Sequence, residues 1–254
     1  MSAHSSARVA LIIPAYNEAP VIGQTVRALP PGMFDWVMVA DNGSTDGTGE
    51  EARAAGARVT RTEEKGYGAA CLAALEALPV EATHVVFLQA DGSEDADEAC
   101  HLLAPLLDGR ADLVLGSRTL GQAEPGALLP HQRFGNWLTT SLIRLLYGHR
   151  YTDLGPYRAM EVKTLLAMGM RERTYGWTLE MQVLALEQGL RVVEVPVRYG
   201  RRQAGENKVS GNLRASIAAG IKITSTVFRL WLTRRERASA ARPSAGPRPG
   251  ASSR

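Results

Sequence analysis

The chain repeats one unit: an apolar run ends in a polar turn and passes into a helical pattern. "RVALIIPAY", from Arg8, is continuously apolar, as a strand buried on both faces of a parallel sheet requires. It is followed by "NEAPVIGQTVRALP", in which Val21, Ile22, Val26 and Leu29 recur at helical spacing. "DWVMVADNGSTDGT" reads as a second strand and turn, "GEEARAAGA" as a helix closed by Gly56, "ARVTRT" as a short strand, "GAACLAALEAL" as a helix and "THVVFLQAD" as a fourth strand. Strands that alternate with helices join one sheet through right-handed crossovers, so the pattern predicts an α/β fold with a mostly parallel sheet. After "ADLVLGSRT" the rhythm changes to a Gly/Pro loop at 121–130, a helical "RFGNWLTTSLIRLLYG", "TDLGPYRAM", a helix through "GWTLEMQVLALEQG", a strand "LRVVEVPVRY" and the basic loop "GRRQAGENKVSG".

A chain of 254 residues with 45% hydrophobic content is long enough for one large core. The boundaries expected from composition are a flexible start at 1–7, a main domain at 8–211, an amphipathic helix at 212–234 and a disordered Ala/Ser/Pro/Gly/Arg tail at 235–254. Two cysteines, Cys71 and Cys100, are too few for a disulfide framework, and "MSAHSSAR" has no apolar signal region. The expected setting is therefore cytoplasmic. Net charge is +3, but Arg191, Arg198, Arg201, Arg202 and Lys208 fall late, followed by "TRRER", which predicts an anionic partner. The basic tail lacks interleaved aromatics, so nucleic acid is not expected.

In an open α/β sheet ligands sit beyond the carboxyl ends of the strands. "PAYNE", "ADNGSTDGT", "EKGYGAA" and "QADGSED" all fall there. Each also reads as an ordinary turn: Asn17 as a helix cap, Ser44, Thr45 and Asp46 as a helix opening, and Gly66 with Gly68 as a two-glycine turn. Against that, Asp41 stands at a strand tip where a carboxylate can accept from a base N–H, and Gly66 and Gly68 permit close backbone approach at a helix N-terminus. Asp91 follows its strand at the depth where a carboxylate can bind Mg²⁺ or Mn²⁺ held by a diphosphate. Glu94, Asp95, Asp97 and Glu98 are read mostly as first-turn acids of the next helix.

Taken in order, "IIPAYNE", "DNGSTDGT", "KGYGAA", "GSR" at 116–118, "DLGPYRAM" and "RQAGENK" resemble the motifs of the family 2 glycosyltransferases of the GT-A fold, in the branch that glycosylates dolichyl phosphate. The likeness covers about residues 8–210. It implies a Rossmann-like, mostly parallel sheet flanked by helices, with amphipathic C-terminal helices. It also implies transfer of a hexose, with inversion, from a UDP- or GDP-sugar to a polyprenyl-type lipid phosphate, assisted by Mg²⁺ or Mn²⁺. By the same resemblance Pro14, Ala15, Tyr16, Glu18 and Asp41 would hold the nucleoside, with Gly66 and Gly68 beside it. Asp91 would match the second acid of the family's metal-binding "D-A-D". Here Gln89 replaces the first acid and Asn42 replaces the second aspartate of "DDGS", so either Asp91 and the donor phosphates carry the metal with help from Gln89 or Ser93, or metal affinity is reduced.

A sugar leaving a nucleoside diphosphate develops negative charge on the β-phosphate, which fixed cations stabilise. A lipid-phosphate acceptor is already an anion and needs cations rather than a base. Arg118, Arg133, Arg202 and Lys208 are the candidates, the first two as acceptor-phosphate residues by resemblance and the last two on a loop that closes over the diphosphate. Asp91, Arg118, Arg202 and Lys208 are the expected catalytic set.

The helices "RFGNWLTTSLIRLLYG" and "NLRASIAAGIKITSTVFRLWLTRRER" carry wide apolar faces with basic flanks. That suits helices lying on an anionic membrane surface at its inner face, with packing on the core as the alternative. Lys222 and Arg229 keep the second from spanning. A separate membrane protein is a further expected partner. Two rivals remain: a glycosyltransferase with a hydroxyl acceptor and Glu180 as base, and a catalytically weak nucleotide-sugar binding protein. A sugar nucleotidyltransferase is disfavoured because no "GxGTR"-type loop follows the first strand.

Overall fold

The computed structural model describes residues 7–202, 224–234 and 237. Lys208 and most of the two C-terminal segments expected from composition lie outside them. Strands β1 (Val9–Ala15), β2 (Trp36–Asp41), β3 (Arg58–Arg61) and β4 (His84–Phe87) alternate with helices α1 (Ala19–Arg27), α2 (Thr48–Ala54) and α3 (Tyr67–Glu76), as the sequence predicts. A short 3₁₀ turn (Ala96–Glu98) and α4 (Ala99–Leu107) lead to β5 (Leu113–Ala123) and α5 (Pro130–Tyr147). After these come β6 (Arg158–Glu161), α6 (Val162–Ala167), α7 (Trp177–Glu187) and β7 (Val192–Tyr199).

The seven strands form one sheet in the order β3-β2-β1-β4-β6-β5-β7. Every strand is parallel to the rest except β6, which runs antiparallel between β4 and β5. β1 and β4 are buried along almost their whole length, which is why their sequences are apolar runs rather than alternations. One face of the sheet is covered by α1, α2 and α4 through Ile22, Val26, Ala52, Leu102 and Leu106. The other is covered by α3, α5, α6, α7 and the helical segment 224–234, through Ala70, Ile143, Leu165, Trp177, Val227 and Leu230. Trp177 meets Phe87 edge to face at 4.9 Å, fixing α7 under the centre of the sheet.

The strand register sets the site. Ala15 is level with Asp41, and Asp41 with Arg61, so the carboxyl ends of β1, β2 and β3 form one rim. Two expected boundaries shift. The Gly/Pro loop expected at 121–130 begins later, because Gln122 and Ala123 still pair with Arg198 and Tyr199 of β7. The helix expected to open at 44–46 begins at Thr48 behind Gly47, because the longer turn is used to bind its neighbours.

Candidate functional site

The first two strand-end turns are knitted into one body. Asn17 adopts a left-handed backbone (φ 50°) and accepts from the Thr45 N–H at 2.9 Å, instead of capping α1 as the simplest sequence reading would have it. Its own N–H donates to Ser44 Oγ at 2.9 Å, Glu18 N–H to Thr48 Oγ1 at 2.8 Å and Ala19 N–H to Asp46 Oδ2 at 3.1 Å. "DNGSTDGT" is long because it supplies acceptors to the free N–H groups after β1. Pro14 and Ala15 close β1, and Tyr16 beyond them is 40% exposed with Lys65 Nζ 4.6 Å from its ring centroid.

Asp41, expected to face a base, is buried and engaged by the chain's own groups. Oδ1 accepts from the Ser44 N–H and Oδ2 from Arg61 Nη1, each at 2.8 Å. Asn42 also has a definite task. Its amide nitrogen donates to Glu64 O at 2.6 Å while its oxygen accepts from the Gly66 N–H at 2.8 Å, a pairing that aspartate cannot make. Gly66 and Gly68 are needed for a backbone approach, but the backbone is the chain's own. A Cβ at Gly66 would stand 2.2 Å from Arg173 O, and one at Gly68 2.2 Å from Glu172 O. Arg173 O also accepts from the Ala69 N–H at 2.8 Å, occupying a first-turn donor of α3. Glu180 anchors this contact: its buried carboxylate accepts from Arg171 and Glu172 N–H at 2.9 and 2.7 Å, and burial raises its pKa.

The turn after β4 brings the acids together. Asp91 is buried, and its Oδ1 accepts from the Ser93 N–H at 3.0 Å and Ser93 Oγ at 2.6 Å. Gln89 Oε1 lies 3.1 Å from the same hydroxyl. Arg202, immediately beyond β7, places Nη1 3.2 Å from Asp91 Oδ2 and Nη2 against Glu18 Oε1, so one guanidinium bridges the turns after β1 and β4. The structure therefore unites Glu18, Gln89, Asp91, Ser93 and Arg202. Of the four acids read as helix-start residues, Asp95, Asp97 and Glu98 lie at the 3₁₀ turn and the start of α4, with Asp95 accepting from the Asp97 N–H at 3.0 Å, and Glu94 does not. Glu98 accepts from the Arg198 N–H and Nε, and Glu94 is buried beneath the turn with Oε2 accepting from the Gln89 N–H at 2.8 Å. Burial pushes the Glu94 carboxyl up to about 8.

Beside this group Arg118 is held through Nε and Nη2 by both oxygens of Asp153 at 2.8 Å, and its guanidinium lies 5.1 Å from the Tyr199 ring centroid. Burial opposes its charge, but Asp153 outweighs it and the pKa is raised. Asp153 was not singled out in the sequence, although it heads "DLGPYRAM". Its segment is held by Glu194, which accepts from the Thr152 and Asp153 N–H groups, and by Asn136 of α5, which accepts from the Leu154 N–H. Arg133, one turn before Asn136, is exposed.

Among the described residues no three His, Cys, Asp or Glu side chains are grouped to hold a metal. The donors present are one carboxylate at Asp91, an amide at Gln89 and a hydroxyl at Ser93. That set fits a hard cation of the Mg²⁺ type, which binds one or two carboxylates and takes its remaining ligands from phosphates and water.

Residues 10–168 match the family model described as Glycosyl transferase family 2. An uncharacterized glycosyltransferase of Mycobacterium tuberculosis is 36% identical over 212 residues, covering 83% of this chain and 94% of its own. The undecaprenyl-phosphate mannosyltransferase of Micrococcus luteus is 31% identical over 218 residues, covering 81% and 89%. Among solved structures, glucosyl-3-phosphoglycerate synthase of M. tuberculosis in complex with Mn²⁺, UDP and glucosyl-3-phosphoglycerate superposes with a TM-score of 0.70 over 95% of this chain and 82% of that one, at 23% identity.

Proposed function

The chain belongs to glycosyl transferase family 2, and from that premise we propose that it moves a hexose from a UDP- or GDP-linked donor to a polyprenyl-type lipid phosphate. One observation carries this reading. Glu18, Asp91 and Arg202 converge at the strand ends beside a second, rigidly held cation, Arg118. A site for donor and anionic acceptor needs this pairing: a place for a diphosphate with its cation, and a fixed positive charge that does not itself take a proton. The name of the Micrococcus relative supports the acceptor class.

Asp91, Gln89 and Ser93 would hold Mg²⁺ or Mn²⁺, which when bound supplies positive charge to the diphosphate leaving group. The chain's own residues do the rest. Tyr16 and the rim formed by Pro14, Ala15 and Asp41 receive the nucleoside. Arg202 swings from its carboxylates to the phosphates as the donor enters, so that its charge is set against the bond that breaks. Arg118, fixed by Asp153, orients the acceptor phosphate, with Arg133 at its outer edge. Such preorganised charge accelerates transfer because it needs no reorganisation when the bond breaks.

The lipid reaches the site from the α5 side. Phe134 and Trp137 are each 60% exposed with rings 5.8 Å apart, Leu145 is 80% exposed, and Phe228 and Leu232 are exposed on segment 224–234. Exposed Arg133, Arg144 and Arg150 frame this surface, as an anionic bilayer requires. The inner faces of the same helices pack on the core, so packing and membrane contact belong to opposite sides of each helix. No helix among the described residues is long and apolar enough to cross a membrane.

The acceptor class is tested by offering labelled donor with a polyprenyl phosphate and, separately, with the free polyprenol. The reading expects label in the organic phase with the phosphate alone. Equal or preferential labelling of the polyprenol would require a base and overturn it.

A further inference from the structure

We propose that Glu94 is a positioning residue for transfer: its buried side chain closes the turn that carries Asp91, and its backbone pairs that turn with the exit of β7 from which Arg202 emerges. The inference rests on the site reading above and deepens it.

Three contacts make the case. Glu94 Oε2 accepts from the Gln89 N–H at 2.8 Å, so the side chain spans the whole turn from its last residue back to its first. Within that ring the Ser93 N–H and Oγ both reach Asp91 Oδ1, which fixes the direction of the carboxylate. Outside it, Glu94 forms an antiparallel bridge with Tyr199, and the Gly200 N–H donates to Ser93 O at 2.7 Å. Arg202 follows two residues later and returns to Asp91. The turn and the β7 exit are thus one closed circuit, with Glu94 at its junction.

Packing leaves one side of the turn open. A cleft of about 370 Å³, lined by Thr25, Ser93, Glu94, Glu124 and Arg198 among others, opens on one side of it. Across that side Thr25 Oγ1 of α1 donates to Ala90 O at 2.9 Å. Glu94 Oε1 is buried with no hydrogen-bond partner among the described residues. A residue serving stability alone gains nothing from an orphaned buried oxygen, whereas buried unsatisfied groups of this kind are tolerated where a site needs them.

The test compares full-length wild type with E94A, E94D and E94Q. It measures the unfolding midpoint, kcat and KM for donor, and Mn²⁺ affinity of the nucleotide complex by paramagnetic resonance. Glutamine keeps the accepting oxygen at the same reach, while aspartate keeps the charge and loses the reach. The expected result is that E94A and E94D lose about 10–100-fold in Mn²⁺ affinity or kcat, the range for supporting contacts around a metal. Donor KM should stay nearly unchanged and E94Q should stay close to wild type. If E94A does not fold, E94D against E94Q carries the comparison. Unchanged kcat and Mn²⁺ affinity in E94D, or E94Q no better than E94D, overturns the proposal. A wild-type protein without Mn²⁺ binding in its nucleotide complex refutes the site reading instead.

Discussion

Asn42 shows how a single atom decides a residue. The resemblance places aspartate there, yet the Asn42 amide donates to Glu64 O and accepts from the Gly66 N–H. N42D therefore sets a carboxylate oxygen against a carbonyl, and we expect a loss of about 1–3 kcal/mol in urea unfolding even with Lys65 nearby. A gain in stability would contradict this account. The same logic separates residues legible in the sequence from those that were not. Asp91 was legible because a carboxylate directly after an apolar strand has few other uses. Glu94 was not, because an acid three residues further on looks like a helix start, and only the fold reveals that it turns back to Gln89. Asp41 and Gly68 were singled out, but the neighbours that hold them were not foreseen: Arg61 against Asp41, and the close approach of Glu172 O at Gly68.

At the scale of elements, the 171–174 segment is a tertiary brace for α3, and Glu180 of α7 is its anchor. Its raised pKa has a fixed consequence. The folded protein keeps the proton to higher pH than the unfolded chain, so the stability tied to that proton is full below the ordinary value of 4.5 and is lost as pH rises through the folded value. E180Q should flatten this decline, read as the urea midpoint across the acid to neutral range; an unchanged slope would contradict it. The outer side of α5 makes a separate prediction. Replacing Phe134 and Trp137 together by serine should sharply weaken binding to vesicles containing anionic lipid while leaving the unfolding free energy within about 0.5 kcal/mol of wild type, as for surface substitutions. Vesicle binding equal to wild type would remove the membrane surface from the account. The amphipathic pattern announced α5 and the described segment 224–234 of the second helix, but not which part of each apolar stripe the core would take.

Across the whole molecule, the parallel half was readable because β1 through β4 announce themselves as apolar runs joined by helices. The antiparallel β6 was not. It has four residues, and its place between β4 and β5 is settled by pairings with strands far away in sequence. That insertion brings the 152–154 segment under Glu194 and so sets Asp153 against Arg118, the side proposed to take the acceptor. The rim of β1 to β3, the turn after β4 and Arg118 thus come from separate parts of the chain, and the proposed function requires that they act together. The measurement that tests it is transfer of labelled sugar from a panel of UDP- and GDP-sugars to a short polyprenyl phosphate, with Mg²⁺, with Mn²⁺ and with EDTA, for wild type and D91A. The account predicts metal-dependent label in the organic phase for wild type and a fall of at least about 10²-fold in the folded D91A protein. Donor binding or hydrolysis without any labelled lipid, or equal transfer by D91A, would contradict it.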